Sequence, residues 1–236
     1  MTGTFYLNDN DIKSNIALAD QFRNAGNIFA IATGNNYENF LKVIKKYNIQ
    51  YDYLILDQGS LIIDNNKRII NTCYIEKDVV NGIIEEINTK KDSDMFSSYN
   101  GELKICNIWT ENSNSNDDVT KIALKFKDIE QAKKFTEYIK QKYNHKINAY
   151  TMIFSEINIV EIISYNASKN DAAKVLADSE KMDKANIYTV GDGYNDIEMI
   201  NNFNGYCMNN SVDELLHRCN NHIASISELL KELIER

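Results

Sequence analysis

Proline is absent from this chain of 236 residues, tryptophan occurs once, histidine three times and cysteine four times. The missing proline, with heavy use of Asn, Lys, Ile and Tyr, matches the residue usage of an AT-rich genome and reports on codons rather than chemistry. Cys73, Cys106, Cys207 and Cys219 are widely spaced and form no C-x-x-C pair, which argues against a zinc knuckle or a disulfide framework and leaves them the role of buried small hydrophobes. No apolar run approaches the roughly 20 residues that a membrane span needs. The acidic, Asn-rich residues 1–11 do not resemble a signal peptide, so the expectation is a cytoplasmic protein with no membrane partner. An excess of positive charge is lacking too: the net charge of -8 argues against a nucleic-acid surface. A small anionic ligand stays open, because a bound cation and local donors can outweigh the global charge.

What is present is a soluble globular composition, 43% hydrophobic and 25% charged, long enough for one large α/β domain or for a core with a modest second domain. Helix and strand patterns alternate from the start, which predicts an α/β fold built on a doubly wound parallel sheet. Ser14 is placed to cap a first helix ending near Gly26, residues 28–32 read as a short buried strand, and Phe40, Val43, Ile44 and Tyr47 mark an amphipathic helix. A strand at 53–56 and a hairpin of 61–63 against 68–70 follow, punctuated by Gly59 and the Asn65-Asn66 pair.

From about residue 75 the pattern changes to a helix at 78–90, strand-like residues 103–109, a polar loop at 111–118, a strand at 122–126, a helix at 128–143 with an Asp128–Gln131 capping box, and strands near 149–154 and 159–163. Alternation then resumes: a helix with a Ser168–Asp171 capping box runs to Met182, a strand at 187–190 precedes Gly191, a helix starts at Asp196, a strand covers 206–208, and Ser211 with Glu214 caps a further helix. The expected organisation is a discontinuous core, residues 1–72 and 166–236, with an α+β cap inserted at 73–165. No internal repeat is visible.

The stretch that carries most chemistry is Gly191-Asp192-Gly193-Tyr194-Asn195-Asp196, wedged between an apolar strand and a helix. Two glycines permit a sharp turn, and Asp192 and Asp196 offer hard oxygen donors of the kind Mg²⁺ prefers. In open α/β sheets ligands bind beyond the carboxyl ends of the strands. Thr33-Gly34 stands at one such strand end and Lys169 at a helix N-terminus, so a hydroxyl, an ammonium and a helix terminus suited to phosphate can join the acid pair on one sheet edge. Each signal is weak alone; their order and the insertion between them give them weight.

In these motifs the sequence resembles the haloacid dehalogenase-like (HAD) hydrolases, specifically the Cof-like sugar-phosphate phosphatases with a C2-type α/β cap, along nearly the whole chain. The resemblance implies a Rossmann-like core and a Mg²⁺-dependent phosphatase of small phosphorylated metabolites working through an aspartyl-phosphate. By that likeness Thr33, with Gly34 beside it, would hydrogen-bond the phosphoryl group, and Lys169 would steady the phosphate and the nucleophile. Asp192 would ligate Mg²⁺ directly, with Asn195 and Asp196 completing the metal site or orienting it, and Asn195 also facing the phosphate. Asn35 stands where the family often has Arg. The first motif, Asp-x-Asp-Gly-Thr, is matched by Gly3-Thr4 alone: Thr2 falls at the general acid/base aspartate, and the nucleophile would precede residue 1. Asp9 and Asp11 do not fit as substitutes, because Thr4 to Thr33 already has the family's spacing; they read as a solvated loop.

The missing segment is the family's first, central strand, so its two neighbours would lack ladder partners. Residue 1 would then lie downstream of the true start, or N-terminal residues were lost or removed, or the sheet is repaired differently and the chain is a catalytically inactive phosphate- or metabolite-binding protein. A phosphorylated receiver domain, the third alternative, is about half this length. Tyr99, Trp109 and Tyr150 are candidate specificity aromatics of the cap, or else ordinary core or surface residues, while His145, His217 and His222 lie far from every motif and read as structural. Oligomeric state is not legible.

Overall fold

The structure is a computed structural model and describes residues 3–5, 8–89, 95–100, 104–106, 118–153 and 158–236. Helix α1 spans Asp9–Asn24, so Asp9 and Asp11 belong to its first turn rather than to a loop. Its start is set by Asn8, whose Oδ1 accepts from the Asp11 amide at 3.1 Å, and Ser14 lies inside the helix, its hydroxyl accepting from Ser227. Strand β1 (Ala30–Ala32) leads to α2 (Tyr37–Tyr47), capped by Asn36 and stopped at Asn48, where the backbone turns left-handed. Strands β2 (Tyr53–Leu56), β3 (Leu61–Asp64) and β4 (Ile69–Thr72) complete a four-stranded sheet in which β1 and β2 are parallel and β2, β3 and β4 antiparallel.

The described elements between residues 77 and 164 form a second layer system. It comprises α3 (Lys77–Thr89), β5 (Met95–Asn100), β6 (Lys104–Cys106), β7 (Lys121–Phe126), α4 (Ile129–Lys142), β8 (Ile147–Ile153) and β9 (Asn158–Ser164). The strands make an antiparallel sheet in the order β6-β5-β7-β9-β8. Strand side chains alternate between faces, and here one face (Ile122, Leu124, Val160, Ile162, Ala149) packs on α3 and α4 in a core of its own. The pairing of Ala123 with Glu161 and of Glu161 with Tyr150 puts Lys121, Glu161 and Tyr150 on the opposite face.

The chain then returns through α5 (Lys169–Ser179), β10 (Tyr188–Gly191), α6 (Ile197–Asn202), β11 (Asn204–Met208), α7 (Asp213–Arg218), β12 (Asn221–Ile223) and α8 (Ile226–Glu235). Strands β10, β11 and β12 are parallel. Ser211 does not cap α7: Val212 occupies the cap position, and the Ser211 hydroxyl donates to the Gly191 carbonyl at 3.3 Å. Helices cover both faces of the core strands. Leu54, Leu56, Leu61 and Ile63 pack toward α1, α2 and α8, while the alternate residues Ile55 and Ile62 meet Ala172 and Leu176 of α5. This is an α/β fold with a Rossmann-like core and an additional α+β layer. Cys207 and Cys219 are buried, but Cys73 is only half-buried, its thiol near the Asn166 carbonyl.

Among the described residues the two core sheets do not join. Among the described residues nothing pairs with the free edges of β1 and β10, and between them runs a largely apolar cavity of about 220 Å³ lined by Phe5, Phe29, Ile31, Val190, Leu229 and Leu230, among others. Thr4, Lys169 and Asp196 also line it. This slot lies between the strands that carry the candidate motifs.

Candidate active site

The turn after β10 is closed by Asp196. Its Oδ2 accepts from the amides of Asp192 and Gly193, both at 3.0 Å, which needs the close backbone approach that Gly191 provides: a Cβ there would sit 2.3 Å from the Asp196 Cβ. The other oxygen, Oδ1, receives the Lys169 ammonium at 2.7 Å. Lys169 is in turn fixed as the first residue of α5 by Ser168, whose hydroxyl accepts from the Asp171 amide at 3.0 Å. Burial pushes Asp196 up, but the Lys169 charge and the hydrogen bonds from Lys169, Gly193 and Asp192 together hold its carboxyl below the usual range.

Asp192 points toward the start of the chain, where the Thr4 hydroxyl donates to its Oδ1. Thr33 ends β1 buried, its amide bonded to the Ile55 carbonyl and its Oγ1 accepting from the Asn35 amide at 3.2 Å. The structure thus brings Lys169, Asp192 and Asp196 into one cluster. Thr33-Gly34 and Asn195 are joined to each other by a residue the sequence reading passed over. Gln58, in the turn after β2, donates its backbone amide to the Thr33 carbonyl at 3.3 Å and accepts at Oε1 from Asn195 Nδ2 at 2.6 Å.

Three further groups were missed. Lys121 of β7 sends its ammonium to the Gly34 carbonyl at 2.6 Å and to Glu161 Oε1 at 3.0 Å; the other Glu161 oxygen accepts from Gln58 at 2.8 Å. Asp57 is fully buried beside them and accepts from Thr120 at 3.2 Å. Its Oδ1 lies 3.4 Å from Lys121 without closing a hydrogen bond, so burial outweighs the attraction of Lys121 and pushes the carboxyl up to about 6. The available signals were the single acid Glu161 within the apolar run of β9 and an Asp-Gln-Gly turn directly after a buried strand; Lys121 shares β7 with a second lysine, Lys125, and has no such mark.

Among the described residues, no three His, Cys, Asp or Glu side chains converge into a group that could hold a metal ion. The hard donors present at the turn are the Asp192 carboxylate and the Asn195 side-chain carbonyl, because Asp196 already serves Lys169 and two amides. That is a partial oxygen set, of the kind Mg²⁺ accepts when waters and a phosphate complete its shell. Tyr150 is raised by burial and then by the charges of Glu198, Asp171 and Glu161, which puts it at the cap–core junction. For Tyr99 the structure gives only a backbone register, opposite Ile105, and Trp109 lies outside the described residues. The histidines stay apart from the cluster: His145 packs edge-on against Tyr165, His217 contacts the Asp213 carbonyl, and His222 contacts Cys207 and the Cys219 carbonyl.

The family model of haloacid dehalogenase-like hydrolases matches residues 1–105 and 87–228. The chain belongs to that family. It is 26% identical over 215 residues, 83% of this chain and 78% of the relative, to a "Putative phosphatase" of Buchnera aphidicola. It is also similar in structure to a haloacid dehalogenase-like hydrolase from Bacteroides thetaiotaomicron (TM-score 0.77, 17% identity, 94% of this chain and 92% of that one). A second likeness is to a haloacid dehalogenase-like hydrolase from B. subtilis (TM-score 0.74, 15% identity, 93% and 92%). No helix among the described residues is long and apolar enough to cross a membrane.

Proposed function

We propose that this HAD-family chain is a Mg²⁺-dependent phosphatase of small phosphorylated metabolites such as sugar phosphates, acting in the cytoplasm. The observation that carries the reading is the buried Lys169–Asp196 pair set beside Asp192 at the end of β10. It supplies a fixed ammonium for phosphoryl oxygens next to a carboxylate that can take a cation. Lys169 has three donors and gives one to Asp196, which leaves others for substrate. The Thr33 hydroxyl and the loop at Gly34 would hold the same phosphoryl group from the β1 side. Asp192 and Asn195 would hold Mg²⁺, which would offset charge on the phosphoryl oxygens, and Asp196 would keep the turn and Lys169 in register.

The attacking carboxylate would come from a strand occupying the slot between β1 and β10, ending at Gly3-Thr4, where it would reach a phosphoryl group held by Thr33 and Lys169 and form an aspartyl-phosphate. A second reading is favoured by one observation: none of the described residues lining the slot, apart from the ion-paired Asp196, carries a carboxylate. On that reading the chain binds a phosphorylated ligand without turning it over.

The test is phosphate release from p-nitrophenyl phosphate and a sugar-phosphate panel, with Mg²⁺. The polypeptide would be extended before Gly3 by an apolar strand ending in Asp-x-Asp, with the unextended chain beside it. Turnover only in the extended chain, lost in its Lys169→Met variant, supports the enzyme. A folded extended chain that releases no phosphate yet binds inorganic phosphate through Lys169 supports the binding protein.

A further inference from the structure

Two cap residues reach through the junction and touch the loops of the candidate site itself. Lys121 and Glu161 share the core-facing side of the five-stranded sheet, and both are held in the interior, with side chains 4% and 13% exposed. Lys121 donates to the Gly34 carbonyl, the residue after Thr33, and Glu161 receives Gln58, which receives Asn195. An unbroken polar chain therefore runs from the phosphate-side loop, across two cap strands, to the turn that follows β10. Asp57 and Gln58 adopt left-handed φ angles of 49° and 60°, uncommon for non-glycine residues, and both are buried. The cap contacts both of them, Thr120 at the Asp57 carboxylate and Glu161 at the Gln58 side-chain amide.

We propose that Lys121 and Glu161 are positioning residues: seated together, they fix the spacing of the Thr33-Gly34 loop and the Asn195 turn, so that the site is assembled only when the cap is docked. The inference rests on the phosphatase reading for what those loops bind, but not for the coupling itself. A carboxylate accepts from two donors at once, as Glu161 does from Lys121 and Gln58, whereas an amide offers one acceptor oxygen and a donor. Glu161→Gln therefore breaks one arm of the chain with almost no change in shape. Lys121→Met removes the bonds of the ammonium to Gly34 and Glu161 while keeping the length of the side chain.

The test is NMR-detected hydrogen exchange on the full chain, without substrate or metal, following the amides of Asn35, Gln58 and Asp196. Each of these makes a hydrogen bond in the loops concerned. The amides of Ile162 and Cys207, within the two sheets, serve as references. In Lys121→Met and Glu161→Gln the three loop amides should exchange at least about tenfold faster, the scale of losing one charge-assisted bond, with the references unchanged. Lys127→Met, just beyond the end of the same strand, should leave all five as they are. Equal acceleration at loop and reference amides, or acceleration at neither, overturns the proposal. If Lys121→Met does not fold, Glu161→Gln alone decides by the same criterion. An extended chain that hydrolyses nothing would defeat the phosphatase reading and leave this coupling standing, and a flat exchange map would do the reverse.

Discussion

The Lys169 ammonium lies 2.7 Å from Asp196 Oδ1 with both side chains more than nine-tenths buried, and the other Asp196 oxygen holds the amides of Asp192 and Gly193. One carboxylate thus fixes both the cation and the turn on which Asp192 sits. Removing the cation leaves a buried charge without its partner, which costs about 3–5 kcal/mol. Lys169→Met should lose that much in urea unfolding, and adding Asp196→Asn should recover part of it by removing the stranded charge. A loss under about 1 kcal/mol, the scale of an exposed pair, would mean that the pair is solvated in solution.

The elements that were legible in the sequence are those whose signals are local. Asp128 accepts from the Gln131 amide and Ser168 from the Asp171 amide, as the capping-box spacings predicted, and the strands expected at 122–126 and 159–163 are β7 and β9. Asn8 was overlooked because Ser14 is an equally good cap by residue type; the difference is that Ser14 and Asn15 meet Ser227 of α8, a contact more than 200 residues away. Of the site, the residues beside glycines at strand ends stood out. Gln58, Lys121 and Glu161 did not, because their roles exist only once the cap sheet lies over the core; the lone acid within β9 and the Asp-Gln-Gly turn are weak local signs that name no partner.

Asp57 gives a pH dependence of definite sign. Burial raises its carboxyl from 3.8 to about 6, so the folded chain binds this proton more tightly than the unfolded chain does. The stabilisation that follows is fully present below pH 3.8 and is lost as pH rises through about 6. The swing is on the order of 3 kcal/mol. Asp57→Asn has no proton to release, so its stability relative to the parent chain should improve between pH 4 and pH 7 by roughly that amount. Thermal or urea unfolding at the two pH values checks it, and parallel pH profiles for the two proteins would contradict it.

The slot between β1 and β10 makes a prediction for individual amides. The Thr33 amide and the Phe29 carbonyl both bond toward β2, so by strand alternation Ala30 and Ala32 direct their amides into the slot while Ile31 directs its own to β2. Hydrogen exchange at Ala30 and Ala32 should therefore be faster than at Ile31 by about tenfold or more, one hydrogen bond's worth. In a chain extended by an apolar strand before Gly3, the difference should vanish. Protection of Ala30 and Ala32 equal to that of Ile31 in the unextended chain would show that the slot is already filled.

Metal affinity follows from the same geometry. Asp196 is committed to Lys169 and the turn amides, which leaves Asp192 and the Asn195 carbonyl as protein donors, and among the described residues no third acidic, His or Cys side chain joins them. Mg²⁺ dehydrates reluctantly and binds tightly only where carboxylates or phosphates replace several waters, so its dissociation constant for this chain should be about 1 mM or weaker. Inorganic phosphate should tighten it by adding oxygens held by Lys169, and Asp192→Ala should abolish what binding there is. Calorimetric titration decides the matter: micromolar Mg²⁺ binding that Asp192→Ala removes would mean that the chain already presents a complete metal site, and that Asp196 exchanges its partners to ligate the ion.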